Sequence, residues 1–198
     1  MSLFQAEWVA EHCGPGPYTI IDAGTYNGTD ALRLHAAYPS ARVFAIEAGW
    51  ENWMNTKNRL RDSNVSVCHF AVCDRTGIIE FNAAGTEAKA GAGSIHQPRQ
   101  CLVDLGFQPA PQDVPCTRLD DFCKCWRIAK VDLLHMDIQG AEYEALVGLG
   151  AVRPTLIFLE AGGSTINMYE GARKTAPLLA DMGYKMLLDL GGDQLWKV

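Results

Sequence analysis

The chain has 198 residues, of which 48% are hydrophobic and 20% charged. These are ordinary globular values, so collagen, coiled coil and wholesale disorder are excluded, and a chain of this length buries roughly 70% of its extended surface, enough for one sizeable core. The net charge of −6 comes from 17 basic and 23 acidic residues, and the basic ones are scattered. A protein that grips a nucleic-acid backbone usually presents a basic face, so that partner is disfavoured.

No run of eighteen apolar residues exists, so no membrane span is expected. The start, MSLFQAEWVAEHCG, lacks the basic and long apolar stretches of a signal peptide, though a cleaved, mature form is left open. The seven cysteines contain no C-x-x-C pair, and Cys123 and Cys125 are too close for a usual zinc pair. The expectation is free thiols in a reducing, cytoplasmic compartment.

Residues 3–12 suit a short amphipathic helix, which Gly14-Pro15-Gly16-Pro17 stops. Residues 18–21 read as a buried strand, 29–38 as a helix, 42–48 as a strand, 51–61 as a helix and 65–72 as a third strand. This alternation predicts a parallel sheet with right-handed crossovers. A short strand follows at 78–81. The segment 84–113 has little pattern and reads as a substrate-covering insertion. A short strand at 114–118 and a helix at 119–126 come next. The alternation then resumes with a strand at 131–136, a helix at 141–149, a strand at 155–160 and a helix at 170–182. Residues 184–190 and 194–198, joined by Gly191-Gly192-Asp193, read as a β-hairpin, which makes the last strand antiparallel. The whole chain, 1–198, reads as one domain.

The strongest chemical signal is the stretch 20–34, IIDAGTYNGTDALRL. A strand delivers Asp22, then Gly24 and Gly28, then a helix. The glycines allow a tight turn and close approach of a ligand. A helix N-terminus favours anions, but an acid in the turn opposes a pyrophosphate and suits a cationic or hydroxyl-bearing partner. That preference favours S-adenosylmethionine (SAM) over a dinucleotide. Glu47 ends the second strand, about twenty residues beyond Gly24, where an acid accepts hydrogen bonds from ribose hydroxyls. Asp137 and Gln139 sit at the carboxyl end of the fourth long strand, the edge along which open α/β sheets bind ligands. Gly140 permits the turn that follows, and Glu142 lies in the first helical turn.

Several residues have a plain alternative. Asp22 could simply cap a turn. Glu160, before Ala161-Gly162-Gly163, could be a hydrogen-bonded turn acid rather than face substrate. His135 reads as a satisfied core histidine. His96 could be a surface loop histidine, or it could reach the acceptor. His69 or Phe70 could pack on an adenine, and Trp50 and Trp53 could line that end. The spacing of Asp74, Asp120 and Asp121 gives no metal set, so no metal is expected, with a magnesium ion on Asp137 and Glu160 as the minor alternative.

These pieces resemble the FkbM family of SAM-dependent methyltransferases. The matching runs are Asp22-Ala23-Gly24-Thr25-Tyr26-Asn27-Gly28, Val43–Glu47, Ala71–Gly77, Thr117–Phe122 and Met136–Glu142. Their order and spacing carry the resemblance, and Asp137-Ile138-Gln139-Gly140-Ala141-Glu142 is the most distinctive. This chain has Ala48-Gly49-Trp50 where family members often have a proline after the strand-two acid. The resemblance implies a Rossmann-like class I methyltransferase fold, with a mostly parallel seven-stranded sheet flanked by helices and a terminal antiparallel hairpin. It also implies methyl transfer, commonly to a hydroxyl of a sugar or natural product. Asp22, Gly24, Thr25, Tyr26, Asn27 and Gly28 are expected to cradle the methionine part. Glu47 and Ala48 are expected at the ribose, with Ala71, Asp137 and Gln139 completing the cofactor site. Asp137, His96 and Glu160, in that order, are the candidate bases for a hydroxyl proton. The acidic balance points to a neutral, hydroxylated small-molecule acceptor, recognised by the 84–113 segment, the N-terminal helix or a second subunit. Left open are N-methylation of a small amine, a nicotinamide-dependent oxidoreductase and a non-catalytic SAM-binding module.

Overall fold

A computed structural model describes residues 3–161 and 168–198. Its main sheet has seven strands in the order β3-β2-β1-β7-β8-β10-β9. Five of them are parallel: β1 (Thr19–Ala23), β2 (Arg42–Glu47), β3 (Ser66–His69), β7 (Leu133–Met136) and β8 (Leu156–Glu160). The hairpin of β9 (Lys185–Asp189) and β10 (Asp193–Lys197) closes it, with β10 antiparallel to both β8 and β9. The strand order reverses at β1, whose neighbours are β2 and β7, and the crevice above that reversal is where such sheets bind ligands.

The central strands are near-continuous apolar runs because both faces are covered. Ile21, Phe44, Leu134 and Ile157 pack on one face with Phe122 and Leu146. Ile20, Val43, Leu133 and Phe158 pack on the other with Phe4, Val9 and Leu34. The covering helices are α1 (Glu7–Cys13), α2 (Thr29–Ala37), α3 (Trp50–Arg59), α5 (Leu119–Cys125) and α6 (Glu142–Val147), with a short α4 (Gln100–Asp104) in the middle of the chain. Among the described residues no disulfide links the cysteines, and burial pushes the thiols of Cys13, Cys68, Cys73 and Cys123 up to about 11.

Three expectations are corrected. The strand read as 65–72 breaks at Phe70: β3 stays in the main sheet, while β4 (Ala71–Val72) joins a second, three-stranded sheet ordered β4-β6-β5. The expected short strands at 78–81 and 114–118 are instead a long antiparallel pair, β5 (Gly77–Ala84) and β6 (Pro109–Thr117). The ends of the supposed insertion therefore belong to a sheet. Pro109, Pro111 and Pro115 disguised β6; all three fall at the same parity of the register, which suits residues that donate nothing to the neighbouring strand. Finally, the helix expected at 170–182 is only α7 (Ala176–Asp181). Gly171 is left-handed (φ 85°) and Pro177 sits in the first turn, where its missing N–H costs nothing. Gly162 and Gly163, named above, lie outside the described residues.

Candidate functional site: the crevice above strands 1, 2 and 7

The turn after β1 is built by three left-handed residues, Gly24 (φ 79°), Tyr26 (φ 52°) and Gly28 (φ 74°). The amides of Gly24 and Thr25 both donate to the Ile46 carbonyl, at 2.9 and 3.0 Å, tying the turn to β2. A Cβ on Gly24 would lie 2.0 Å from the Asp137 carbonyl oxygen, so only glycine lets the ends of β1 and β7 come this close. At Gly28 a Cβ would meet Leu60 at 2.9 Å, on the chain leaving α3.

Glu47 faces this turn. Its carboxylate accepts the Tyr26 amide at 2.9 Å and the Gly49 amide at 2.8 Å. Burial pushes its carboxyl up to about 7, against these hydrogen bonds, which pull down. On the other side, Gln139 (φ 53°) and Gly140 (φ 94°) form the turn after β7. Glu142 accepts the amides of Ile138 and Gly140 at 3.0 and 2.9 Å and so locks that turn from behind. Burial pushes Glu142 up to about 8. Gln139 Nε2 donates to Asp137 at 2.5 Å and to Glu160 at 3.3 Å, so three of the expected residues meet at the carboxyl ends of β7 and β8. Solvent reaches Asp137 from the crevice, yet protein surrounds it on most sides; this burial raises its carboxyl above the usual range.

A cavity of about 40 Å³ lies between these turns, lined by Gly24, Tyr26, Glu47, Ala48, Ala71 and Asp137. Those are six of the expected residues. Phe70, Phe81 and Asn52 also line it, and sequence reasoning had weighed only Phe70. Ala90, Gly91 and Gly93 cover it. Asn52 donates to the Ala90 carbonyl at 2.8 Å, and Gly91 packs on the Tyr26 ring. Beyond this wall lies a wider groove of about 720 Å³, lined by Tyr26, Asn27, Trp50, Asn52 and Gln112 among others.

The remaining expected residues are placed differently. Asp22 is fully buried and does not line the cavity: Thr25 Oγ1 donates to one of its oxygens at 2.6 Å, and His135 Nδ1 lies 2.7 Å from the other. Asn27 accepts the Thr29 amide and hydroxyl just before α2 and reaches only the outer groove. Thr25, Gly28, Gln139, Glu160 and His96 do not line the cavity either. His96 Nε2 sits 3.3 Å from Glu144, which Arg173 also bonds at 2.5 Å. Burial raises the Glu144 carboxyl, but these two partners outweigh it and hold it below its ordinary value. His69 and Trp53 stack on each other at 4.8 Å, with Trp50 edge-on to His69. Among the described residues, no group of three His, Cys, Asp or Glu side chains is placed to hold a metal ion.

The methyltransferase FkbM domain family matches residues 22–186. A 2-O-methyltransferase, NoeI, of Sinorhizobium fredii (strain NBRC 101917 / NGR234) is 31% identical over 169 residues, covering 79% of this chain and 67% of that protein. Among solved structures, the methyltransferase FkbM of Methylobacillus flagellatus KT matches with a TM-score of 0.55 and 16% identity; the likeness covers 98% of this chain and 50% of that one. This chain thus spans half the length of that relative. The precorrin-6y C5,15-methyltransferase of Geobacter metallireducens GS-15 matches with a TM-score of 0.54 and 12% identity over 98% of this chain and 87% of that one. The two structures share the fold, and the family match runs through both turns that line the crevice. The chain belongs to the FkbM family of SAM-dependent methyltransferases.

Proposed function

We propose that this chain transfers a methyl group from SAM to a hydroxyl of a sugar or small natural product. The carrying observation is the cavity that joins Gly24, Glu47 and Asp137 above the reversal of strand order. Its donor set fits the cofactor. The Glu47 carboxylate accepts two backbone amides and the Asn52 side chain and still has acceptor capacity for a ribose hydroxyl. Ala48 and Ala71 leave room for a flat base, and the turn at Gly24 brings backbone to the cavity without a side chain.

Space is the one mismatch. A ligand of this size takes roughly 300 Å³ or more, so residues 90–93 must yield and merge the cavity with the outer groove. The Asn52–Ala90 hydrogen bond is the contact to break.

When bound, SAM supplies an activated methyl group on a sulfonium. The protein's task is then to align an acceptor oxygen with that methyl and to take its proton. Asp137 suits the second task. It faces the cavity, its raised carboxyl lies nearer neutrality than a free aspartate, and Gln139 orients it. Glu160 accepts the same Gln139 amide and so helps to fix its orientation toward Asp137. Asp22 acts through the turn it anchors. His96, in segment 84–113, is paired with Glu144 and lines neither the cavity nor the outer groove, so it is the weaker candidate base.

The name of the S. fredii relative, a 2-O-methyltransferase, supports a hydroxyl acceptor. No described helix is long and apolar enough to cross a membrane, and the free thiols favour a reducing, cytoplasmic setting. Calorimetry against SAM, S-adenosylhomocysteine and NAD is the test, followed by mass spectrometry of hydroxylated and amine acceptors. Binding of S-adenosylhomocysteine and a methyl gain on a hydroxyl compound is the expected result. NAD binding as tight as S-adenosylhomocysteine sinks the reading, and methyl gain only on amines replaces the acceptor class.

A further inference from the structure

We infer that His135 is a positioning residue for the cofactor turn, acting from the floor of the sheet through Asp22. The inference rests on the reading of residues 22–28 as that turn.

Asp22 and His135 are direct neighbours in the parallel register of β1 and β7. Asp22 is fully buried and His135 is 2% exposed. One Asp22 oxygen receives the Thr25 hydroxyl, which belongs to the turn; the other faces His135 Nδ1 at 2.7 Å. The carboxylate is therefore a bridge with one foot in the turn and one on β7. The imidazole is itself clamped. It lies parallel to Phe158 of β8 (3°, centroids 5.5 Å apart), and Phe4 meets it edge-on at 5.7 Å. A ring held on two sides has no freedom to swing, so it transmits the rigidity of the sheet to Asp22.

A buried carboxylate without a counter-charge is unstable, and here the counter-charge is the imidazole. Among the described residues, the charged groups that act on His135 include Asp22 on β1, Asp30 on α2, Asp137 at the end of β7 and Asp193 on β10. Burial disfavours the imidazolium, but the Asp22 hydrogen bond and these charges outweigh it, so the ring holds its proton above the ordinary histidine range. Loss of that proton as pH rises removes the charge, leaves at most a neutral Nδ1–H donor and loosens the turn.

The test is amide hydrogen exchange of residues 22–29 in the ligand-free protein, compared with exchange in β8 as an internal standard, for wild type, His135→Phe and His135→Asn. Asparagine places an amide near the Nδ1 position and keeps a donor there. The expected result is that His135→Phe speeds exchange at Gly24, Thr25 and Gly28 at least tenfold beyond any change in β8, and that His135→Asn, which keeps a donor but no charge, restores part of it. In wild type, the same amides should lose protection as pH rises through the histidine titration, after correction for intrinsic rates; His135→Asn should show no such step. If His135→Phe fails to fold, the wild-type and His135→Asn pH series decides alone. Exchange of the turn that merely follows β8 in every variant, or an identical pH series in wild type and His135→Asn, overturns the inference. Binding of S-adenosylhomocysteine is measured alongside, with a matching tenfold loss expected in His135→Phe. Absence of binding in wild type counts against the methyltransferase reading, while the exchange data still decide the role of His135.

Discussion

Two regions of this molecule meet at one cavity and are built by different rules. The frame, β1, β2, β7 and β8 with their crossovers, is buried on both faces and fixes Gly24, Glu47 and Asp137 by backbone hydrogen bonds. The cover, residues 90–93, is held by the Asn52 bond to the Ala90 carbonyl and the Tyr169 bond to the Ala92 carbonyl, while the rest of the chain between β5 and β6 is anchored by the two-way Asn82–Ser94 backbone pair and by the buried cluster of Leu102, Phe107 and Tyr169. Within residues 90–93 alone, the small number of bonds means a lower cost of local opening than in the frame. The frame thus sets where the methyl donor lies, and the cover sets when it can enter and which acceptor it meets.

The comparison breaks most clearly at Gly24. A Gly24→Ala protein must move the Asp137 carbonyl and hold an L residue at φ 79°, which costs about 1–3 kcal/mol for the backbone alone. We expect S-adenosylhomocysteine binding to vanish and the melting temperature to fall; binding within twofold of wild type would move the cofactor elsewhere. Next in size is Asp137→Asn. Loss of a general base predicts a fall in kcat of about 10²–10⁴, with cofactor affinity little changed. Equal losses in both would make Asp137 a binding group instead.

Glu47 gives a pH-dependent prediction. Its folded-state value, about 7, lies above its ordinary 4.5, so the folded chain holds the proton more tightly than the unfolded one. Stability from this group is therefore greatest at acid pH and falls as pH rises from 4.5 to about 7. Glu47→Gln should flatten that window in a denaturation series. It should also remove the rise in cofactor affinity expected as the wild-type carboxylate ionises near pH 7. A Glu47→Gln protein with the wild-type pH slope would refute the assignment.

The smallest effect is expected in the cover. Asn52→Ala deletes the Ala90 contact, and should quicken cofactor entry and exit a few-fold in stopped-flow measurements while leaving the melting temperature nearly unchanged. Slower exchange would mean that Asn52 holds the cofactor rather than the wall.

How legible these regions were in the sequence follows from the same division. The frame is local: strand, glycine turn and helix succeed one another within a few residues, so Gly24, Glu47 and Asp137 could be read from spacing. What spacing cannot give is which strands become neighbours. Asp22 and His135 are 113 positions apart, and their pairing exists only through the β1–β7 register. Asp22 therefore looked like a cofactor contact, although its oxygens bond Thr25 and His135; His135, read as a satisfied core histidine, is buried and bonded as expected, but its partner was not legible. Glu142 was legible as a helix-start acid, but its bonds run to the amides of the turn before the helix. In the cover, three prolines hid β6, and the places of Asn52 and Phe81 at the cavity arise only from packing of distant segments.

The buried thiols have a practical side. Four of them ionise only near 11, and the thiolate is the reactive form, so at neutral pH they are almost inert to alkylation while the fold is closed. Cys101 and Cys125, by contrast, are exposed. The chain thus carries its own stopwatch. Each slow mark records an opening of the region that shields it: α1 for Cys13, β3 for Cys68, the second sheet for Cys73 and α5 for Cys123.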